Sequence, residues 1–151
     1  MNYEIDNLDR QILAELRRDA RVSFQDIARR LLVSGGTVHV RVQKMREAGV
    51  IKSFKVILDP EKLGFDVCAF IGINLHNARD YPVVMEKLKG LPEITEIHYT
   101  TGSYSIFVKV LTESTRGLHQ FLVEKLQKID EIQSTETFIS LDRPVEGKVP
   151  I

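Results

Sequence analysis

Small and polar residues are grouped on one face of a short helix that follows Ser34, and this grouping suits the reading of DNA. If Val38, Val42 and Met45 form the buried face, at spacing i, i+4 and i+7, the 3.6-residue period turns their neighbours outward. A helix that is small and polar at its first turns can approach base edges in the major groove. The predicted DNA contacts are Ser34, Gly36, Thr37, His39, Val40, Arg41, Gln43 and Lys44.

The residue types in this group match the chemistry of a DNA surface. His39 and Gln43 are candidates for hydrogen bonds to base edges, and Val40 is a candidate for contact with a thymine methyl. The hydroxyls of Ser34 and Thr37 suit phosphate oxygens, as does a helix N-terminus. Residues 29–55 carry seven basic residues against one acid. A helical hairpin with a merely solvated basic face is the alternative interpretation, but the two helix caps and the turn spacing favour DNA binding.

The elements that position this face form a helix-turn-helix. Ser23 and Ser34 are predicted N-caps of two helices separated by a tight turn, and Gly49 suits a left-handed C-terminal cap. A preceding helix begins near Asp6 and presents an apolar stripe at helical spacing. We therefore predict a helix-turn-helix DNA-binding domain over residues 1–49. Residues 50–63 are predicted to follow as a strand, acting as a wing or as a linker.

The two halves of the chain differ in charge, although the whole chain of 151 residues has a formal net charge of zero. Residues 1–58 carry 11 basic and 7 acidic residues, net +4, and residues 59–151 carry 10 and 14, net −4. This asymmetry predicts two domains with different partners. The single cysteine, Cys68, indicates a reducing cytoplasm, and the absence of any long apolar run predicts no signal peptide and no membrane partner.

Hydrophobic patterns after residue 63 alternate between strands and helices. Their order is β-α-β-β-α-β, which predicts a ferredoxin-like domain over residues 64–151, with a four-stranded antiparallel sheet and both helices on one face. The chain is thus predicted to be α+β. Such a sheet leaves its other face uncovered, and the simplest cover is a second copy of the domain. A homodimer would give the DNA-binding domains the two-fold symmetry that successive major grooves require.

No residue pattern indicates catalysis. The four histidines are scattered, and none has a partner at metal-ligand spacing. No phosphate-binding glycine loop and no nucleophile motif is present. The sequence therefore predicts a protein that is not an enzyme and has neither a catalytic site nor a metal site nor a cofactor. An architectural protein that binds DNA without an effector remains an alternative; it would show a strong salt dependence and little sequence preference.

Five segments, in order along nearly the whole chain, resemble the feast/famine or Lrp/AsnC family of regulators. They are DNLDRQIL, SGGTVHVRVQKMREAGVI, LGFDVCAFIGI, TTGSYSIFVKV and IDEIQSTETFISL. The resemblance implies a winged-type helix-turn-helix, a linker strand and a C-terminal effector-binding and oligomerisation domain of the ferredoxin-like (RAM) type. It further implies dimerisation through linker strands and sheets, assembly to an octamer, and transcriptional control by an amino acid.

The resemblance also implies where the amino acid binds, at an interface between dimers near the turn around Gly102 and the start of the last strand. Free backbone N–H groups at that turn suit the carboxylate of the ligand, and an acidic residue suits its ammonium group. The common family pattern has an aspartate where this chain has Ser105. That departure is shared with the asparagine-responsive type and favours a polar amide ligand over leucine, so asparagine is the expected effector. The implied effector residues are Tyr99, Thr101, Gly102, Ser103, Tyr104, Ser105, Asp130, Gln133 and Thr135.

Overall fold

The chain forms two compact units in the computed structural model, which describes residues 3–145. The units divide between Ile57 and Leu58. This division lies inside the segment 50–63 that the sequence predicts to be a linker. The N-terminal unit contains only helices, and the C-terminal unit contains a four-stranded sheet with helices.

Three capped helices make up the N-terminal unit: α1 Asn7–Arg18, α2 Phe24–Leu31 and α3 Gly35–Glu47. Each begins after a residue whose side chain accepts a hydrogen bond from the backbone N–H three positions on: Asp6, Ser23 and Ser34. These bonds satisfy N–H groups that have no partner inside the helix. The predicted helix-turn-helix and its two serine caps are confirmed.

Apolar side chains of all three helices meet in one core. The fully or nearly fully buried residues are Ile12, Leu16, Ile27, Ala28, Val38, Val42 and Met45. The turn between α2 and α3 passes through Leu32, which has left-handed backbone angles (φ 56°, ψ 42°) and a side chain that is 92% exposed. Few residues other than glycine adopt this conformation.

The strand predicted for residues 50–63 is not formed. Residues 52–59 have no regular secondary structure, and Glu61–Leu63 form a single 3-10 turn. A strand needs a hydrogen-bonded neighbour, and none of the described sheet pairings includes this segment. Its apolar side chains are left exposed, with Val56 and Ile57 both 83% exposed.

The C-terminal unit has the predicted β-α-β-β-α-β order, so the α+β ferredoxin-like fold is confirmed. The elements are β1 Val67–Leu75, α4 Tyr81–Lys89, β2 Ile94–Tyr99, β3 Ile106–Thr112, α5 Thr115–Glu124 and β4 Ile132–Ile139. The sheet order is β2-β3-β1-β4, with every pairing antiparallel. Helix α5 ends at Glu124, and the chain then tightens into a 3-10 turn over Leu126–Lys128.

The two faces of this sheet differ. Alternate residues of β1 and β3, such as Ile71 and Val108, are fully buried under α4 and α5. The opposite face, which we call the open face, carries the aromatic rings of Phe70, Tyr104, Phe107 and Phe138 in mutual contact. Phe138 remains 44% exposed. The uncovered sheet face predicted from the strand and helix order is present.

Candidate DNA interface and effector site

The N-terminus of α3 is held by two hydroxyl side chains. Ser34 Oγ accepts from the backbone N–H of Thr37 at 3.0 Å and lies 2.8 Å from Thr37 Oγ1. The free N–H groups of the first turn and the helix dipole favour an anion at this end. Both predicted phosphate contacts therefore lie together where a DNA phosphate is favoured.

The outward face of α3 is composed as its period predicts. Gly36, His39, Val40, Gln43 and Lys44 are all exposed, opposite the buried Val38, Val42 and Met45. The ring of His39 lies edge-on to Phe24 with centroids 5.8 Å apart, and Gln43 Nε2 donates to Glu47 at 2.9 Å. A base contact by Gln43 would have to replace this intrahelical hydrogen bond.

The two glycines that open α3 have different surroundings. A Cβ on Gly35 would lie 2.7 Å from the side-chain amide of Gln25, the end of an exposed and flexible side chain that can move aside. A Cβ on Gly36 would meet nothing closer than Ser34 Oγ at 3.8 Å. Packing does not demand glycine at position 36, which suits close approach of the helix by another molecule.

Arg41 does not face outward with the other predicted DNA contacts. Its guanidinium donates to the carboxylates of Asp6 and Asp9 at the start of α1. Arg29 and Arg30 are also paired, with Asp26 and Glu15 respectively. Three of the seven basic residues in 29–55 are thus engaged within the unit. The other four, for which no ion pair is found among the described residues, are Lys44, Arg46, Lys52 and Lys55.

The predicted effector turn connects β2 to β3. It is closed by Thr100 Oγ1, which donates to the Tyr104 carbonyl at 2.6 Å, and by the Thr100 N–H, which donates to the Ser105 carbonyl at 3.0 Å. Gly102 has φ 106°, a conformation that L side chains rarely adopt. The residues between these closing bonds, Thr101 to Ser103, are exposed.

The effector turn and the start of β4 lie at the same end of the sheet. Ile73 of β1 is directly opposite Ile106 on one side and Thr135 on the other. Two strand spacings, about 10 Å, separate β3 from β4 at this level. Gln133 is the extra residue of an irregularity in the β1–β4 pairing, between Asn74↔Ser134 and Leu75↔Ile132. The structure thus brings the two predicted segments together.

The acids next to this end of the sheet are not equivalent. Lys87 Nζ lies 2.7 Å from both carboxylate oxygens of Glu131. This side-chain hydrogen bond holds the pKa of Glu131 below its usual range. Asp130 is exposed, and its carboxylate has no ionic partner among the described residues. Of the two, Asp130 is the acid with free acceptor capacity.

The two tyrosines of the predicted site lie on opposite faces of the sheet. Tyr99 is opposite the buried Ile106 on the helix face, and its ring centroid is 4.5 Å from that of Tyr81 at the start of α4. The Tyr104 ring covers Gly72 on the open face, where an added Cβ would lie 2.5 Å from the ring. The structure therefore does not bring these two side chains together.

Sequence reasoning missed Asn74 at this site. Its Oδ1 lies 3.3 Å from the Ser105 N–H, which also donates to the Ile73 carbonyl at 3.1 Å. Asn74 therefore connects the effector turn to β1. The available signal was a polar amide inside the apolar strand run VCAFIGINL, because an amide in such a strand needs a hydrogen-bond partner.

A cavity of about 540 Å³ lies elsewhere in the C-terminal unit, between α5, Phe65 and the turn at Pro92–Glu93. None of the predicted effector residues lines it. Within residues 3–145 no group of His, Cys, Asp and Glu side chains is arranged to hold a metal ion. No helix in that range is long and apolar enough to cross a membrane.

Comparison with known proteins identifies both units. Residues 5–52 match the model of a winged helix-turn-helix DNA-binding domain, and residues 68–150 match that of the Lrp/AsnC ligand binding domain. The regulatory protein AsnC of Haemophilus influenzae is 53% identical over 143 residues, which are 95% of each chain. AsnC of Escherichia coli K12 is 51% identical over 144 residues, again 95% of each chain.

Solved structures agree with these relationships. The structure of E. coli AsnC superposes with a TM-score of 0.95 at 49% identity, covering 97% of this chain and 99% of that one. A Neisseria meningitidis transcriptional regulator in complex with L-Met has the same fold, with a TM-score of 0.89 at 18% identity and coverage of 98% and 96%. These two relatives are named as regulatory proteins, not as enzymes. This chain belongs to the Lrp/AsnC family and is a ligand-responsive, DNA-binding transcription regulator.

Proposed function

We propose that this regulator senses asparagine at the sheet end where the effector turn meets the start of β4. The observation that carries the proposal is the strand register, which places Ile106 and Thr135 on either side of Ile73. Two polar segments separated by more than 20 residues along the chain thereby border one surface. The relatives named AsnC support asparagine as the amino acid.

The chemistry of the surface suits a zwitterion. The N–H groups of Thr101, Gly102 and Ser103 have no partner among residues 3–145 and suit the ligand's carboxylate. The free Asp130 carboxylate suits the ammonium group. The amide of Gln133 suits the amide of an asparagine side chain, because an amide both donates and accepts.

The site is open to solvent in a single chain, so we propose that a neighbouring copy completes it. The open face provides the contact within a dimer, and four dimers form the octamer. Effector binding between dimers then changes how many DNA-binding units engage one site. A coupling of about 1–3 kcal/mol is sufficient for such a switch, and avidity between linked units amplifies it. We place the protein in the cytoplasm, with its DNA.

We further propose that the outward face of α3 reads the DNA. Gly36, His39, Val40, Gln43 and Lys44 are its contact residues, with Ser34 and Thr37 beside a phosphate. Gln43→Ala is expected to reduce the affinity for a duplex selected by the wild-type protein by about 1–3 kcal/mol. Its affinity for a scrambled duplex should stay unchanged. Arg46→Gln, on the same helix, is the control and should lower the affinity for both duplexes equally.

Calorimetric titration tests the effector. Asparagine, glutamine, aspartate and leucine are titrated into the wild-type protein, and saturable heat is expected with asparagine. Ser105→Asp should lower the asparagine affinity at least tenfold, about 1.4 kcal/mol, because it places a carboxylate near the ligand's own. Ser140→Asp makes the same change at the opposite end of the sheet, where the Ser140 N–H bonds Cys68, and should bind normally.

The results of these titrations distinguish between the possible interpretations of the site. Equal loss in Ser105→Asp and Ser140→Asp would remove the effector turn from the site. Binding of another amino acid in place of asparagine would reassign the ligand. Absence of binding by any amino acid, together with a steep salt dependence and no preference for the selected duplex, would indicate an architectural DNA-binding protein.

A further inference from the structure

A fully buried carboxylate lies in the first turn of α1. The Asp9 side chain is 0% exposed. It accepts hydrogen bonds from the Tyr3 hydroxyl at 2.9 Å and from the Asp6 N–H at 3.2 Å, while the Asp9 N–H donates to Asp6 Oδ1 at 2.9 Å. A buried charge is costly unless it is paired, so this one needs a cation.

The cation comes from α3, 32 residues away in the chain. Arg41 Nη1 lies 3.3 Å from Asp9 Oδ1 and also donates to Asp6. The bond to Asp6 raises the pKa of Arg41, and the Asp9 N–H followed by Arg41 lowers the pKa of Asp6, so the pair stays charged at neutral pH. Tyr3, Asp6, Asp9 and Arg41 form one network, which we call the α1–α3 clamp.

The α1–α3 clamp limits the rotation of α3 about its own axis. The core contacts of Val38, Val42 and Met45 are apolar, and apolar contact has no preferred direction. Hydrogen bonds between a guanidinium and a carboxylate are directional, and Arg41 Nη1 contacts both Asp6 and Asp9. Arg41 is three residues after Val38 and four before Met45, at the edge of the buried face, so its bonds to α1 oppose rotation of α3 about its axis.

We propose that Arg41 is a positioning residue, held by Asp9, Asp6 and Tyr3, that orients the recognition helix and does not itself bind DNA. This inference rests on the proposed role of the outward face of α3. It predicts that recognition of the DNA sequence depends on acidic residues at the start of α1, although DNA phosphates repel negatively charged side chains.

Substitutions that remove charges of opposite sign distinguish a positioning role of Arg41 from direct contact with a DNA phosphate. Asp9→Asn removes one negative charge, so electrostatic attraction alone would strengthen DNA binding. Loss of a positioning residue weakens it instead. Arg41→Gln removes a positive charge; it lowers the slope of log affinity against log salt by about 0.9 if Arg41 contacts a phosphate, and leaves that slope unchanged if it does not.

The experiment uses the full chain and two duplexes, one selected by the wild-type protein from a random pool and a scrambled one of equal length. Asp9→Asn and Arg41→Gln are each expected to lower the affinity for the selected duplex about tenfold, roughly the effect of one mismatched base pair. The double variant should be no weaker than the weaker single variant, because both changes break one network.

Control variants isolate the effect. Glu4→Gln removes an exposed carboxylate just before α1 and should leave the selectivity between duplexes unchanged. Arg46→Gln removes an exposed charge from α3 and should weaken both duplexes alike. Tyr3→Phe keeps all charges and removes one hydrogen bond, so it should lose selectivity without a change in salt slope; it also keeps the test decisive if Asp9→Asn does not fold.

Two results overturn the proposal. In the first, Arg41→Gln lowers the slope of log affinity against log salt by about 0.9, while Asp9→Asn keeps the wild-type affinity for DNA. That result would make Arg41 a phosphate contact. The other is a parallel loss for both duplexes in Asp9→Asn and Tyr3→Phe, which would indicate a destabilised unit only. Gln43→Ala is measured alongside to test whether the outward face of α3 reads the DNA at all. If that face does not read the DNA, Gln43→Ala keeps the wild-type preference for the selected duplex.

Discussion

The two units of this protein bury their apolar side chains to different extents. The N-terminal unit closes its own core, with Ile12, Ile27 and Met45 all fully buried by three helices. The C-terminal unit covers only one face of its sheet, and on the open face Phe138 stays 44% exposed beside three other aromatic side chains. One unit is complete within a chain, and the other presents a surface that a second copy can cover.

The polar groups show the same contrast. In the N-terminal unit, Arg29, Arg30 and Arg41 are each paired with an acid. In the C-terminal unit, the backbone N–H groups of Thr101, Gly102 and Ser103 in the effector turn lack partners among residues 3–145. A fixed DNA-reading surface suits the first pattern, and a surface that changes its contacts when a ligand binds suits the second.

The largest expected effect is loss of assembly when the open face receives a charge. Phe138→Asp would bury an unpaired carboxylate in the interface at a cost of several kcal/mol. Sedimentation velocity is expected to show monomers where the wild-type protein shows oligomers. Val123→Asp, on α5, is the matched control and should assemble normally. An oligomeric Phe138→Asp would show that assembly does not depend on burial of the open face.

A smaller effect is expected where the open face meets the effector turn. In Gly72→Ala the new Cβ would lie 2.5 Å from the Tyr104 ring, so the ring and its turn have to move. We expect the free energy of unfolding to fall by about 1–3 kcal/mol and asparagine binding to weaken.

Urea unfolding and calorimetry measure the two effects of Gly72→Ala. Gly90→Ala is the control, because its Cβ meets only the Lys87 and Glu86 carbonyl oxygens, at ordinary distances of 3.5 and 3.9 Å. Stability of Gly72→Ala equal to that of Gly90→Ala would contradict the close packing of Tyr104 on Gly72.

In the N-terminal unit, one substitution should stabilise. Leu32 is exposed with φ 56°, and the left-handed conformation costs a non-glycine residue about 1–2 kcal/mol. Leu32→Gly is expected to raise the free energy of unfolding by about 1 kcal/mol, the part of that cost left after the extra chain entropy of glycine. Leu32→Ala keeps the Cβ and should give no such gain in urea unfolding; equal gains in both would exclude backbone strain as the cause.

The smallest effect concerns acid stability. The backbone hydrogen bond from Asp9, and then Arg41, lower the pKa of Asp6 below its unfolded value. A carboxyl with a lowered folded pKa adds stability above its unfolded pKa of about 3.9, and this is lost as the pH falls through the folded pKa. Asp6→Asn should therefore flatten the decline in stability of the N-terminal unit below about pH 4. An unchanged decline, followed by circular dichroism, would show that Asp6 adds no acid-dependent stability.

The sequence predicts the DNA interface more completely than the effector site, for a physical reason. Caps such as Ser23 and Ser34 act over three residues, and the period of α3 assigns its outward face without reference to the rest of the chain. The proposed effector site instead joins residues from two segments that are separate in sequence. Its chemistry was expected from the family resemblance, but the order and register of strands place Thr135 near the turn.

Local signals along the sequence determined the helices, their caps, the order of helices and strands along the chain and the α+β class, since these depend on periodicity and on neighbours a few residues apart. Only the tertiary structure decided where long side chains reach. Arg41 extends to Asp9, which is 32 positions away. The Tyr104 ring crosses to Gly72, and Asn74 bonds Ser105. These contacts join residues distant in sequence, and periodicity fixes the face from which a side chain starts but not the partner it meets.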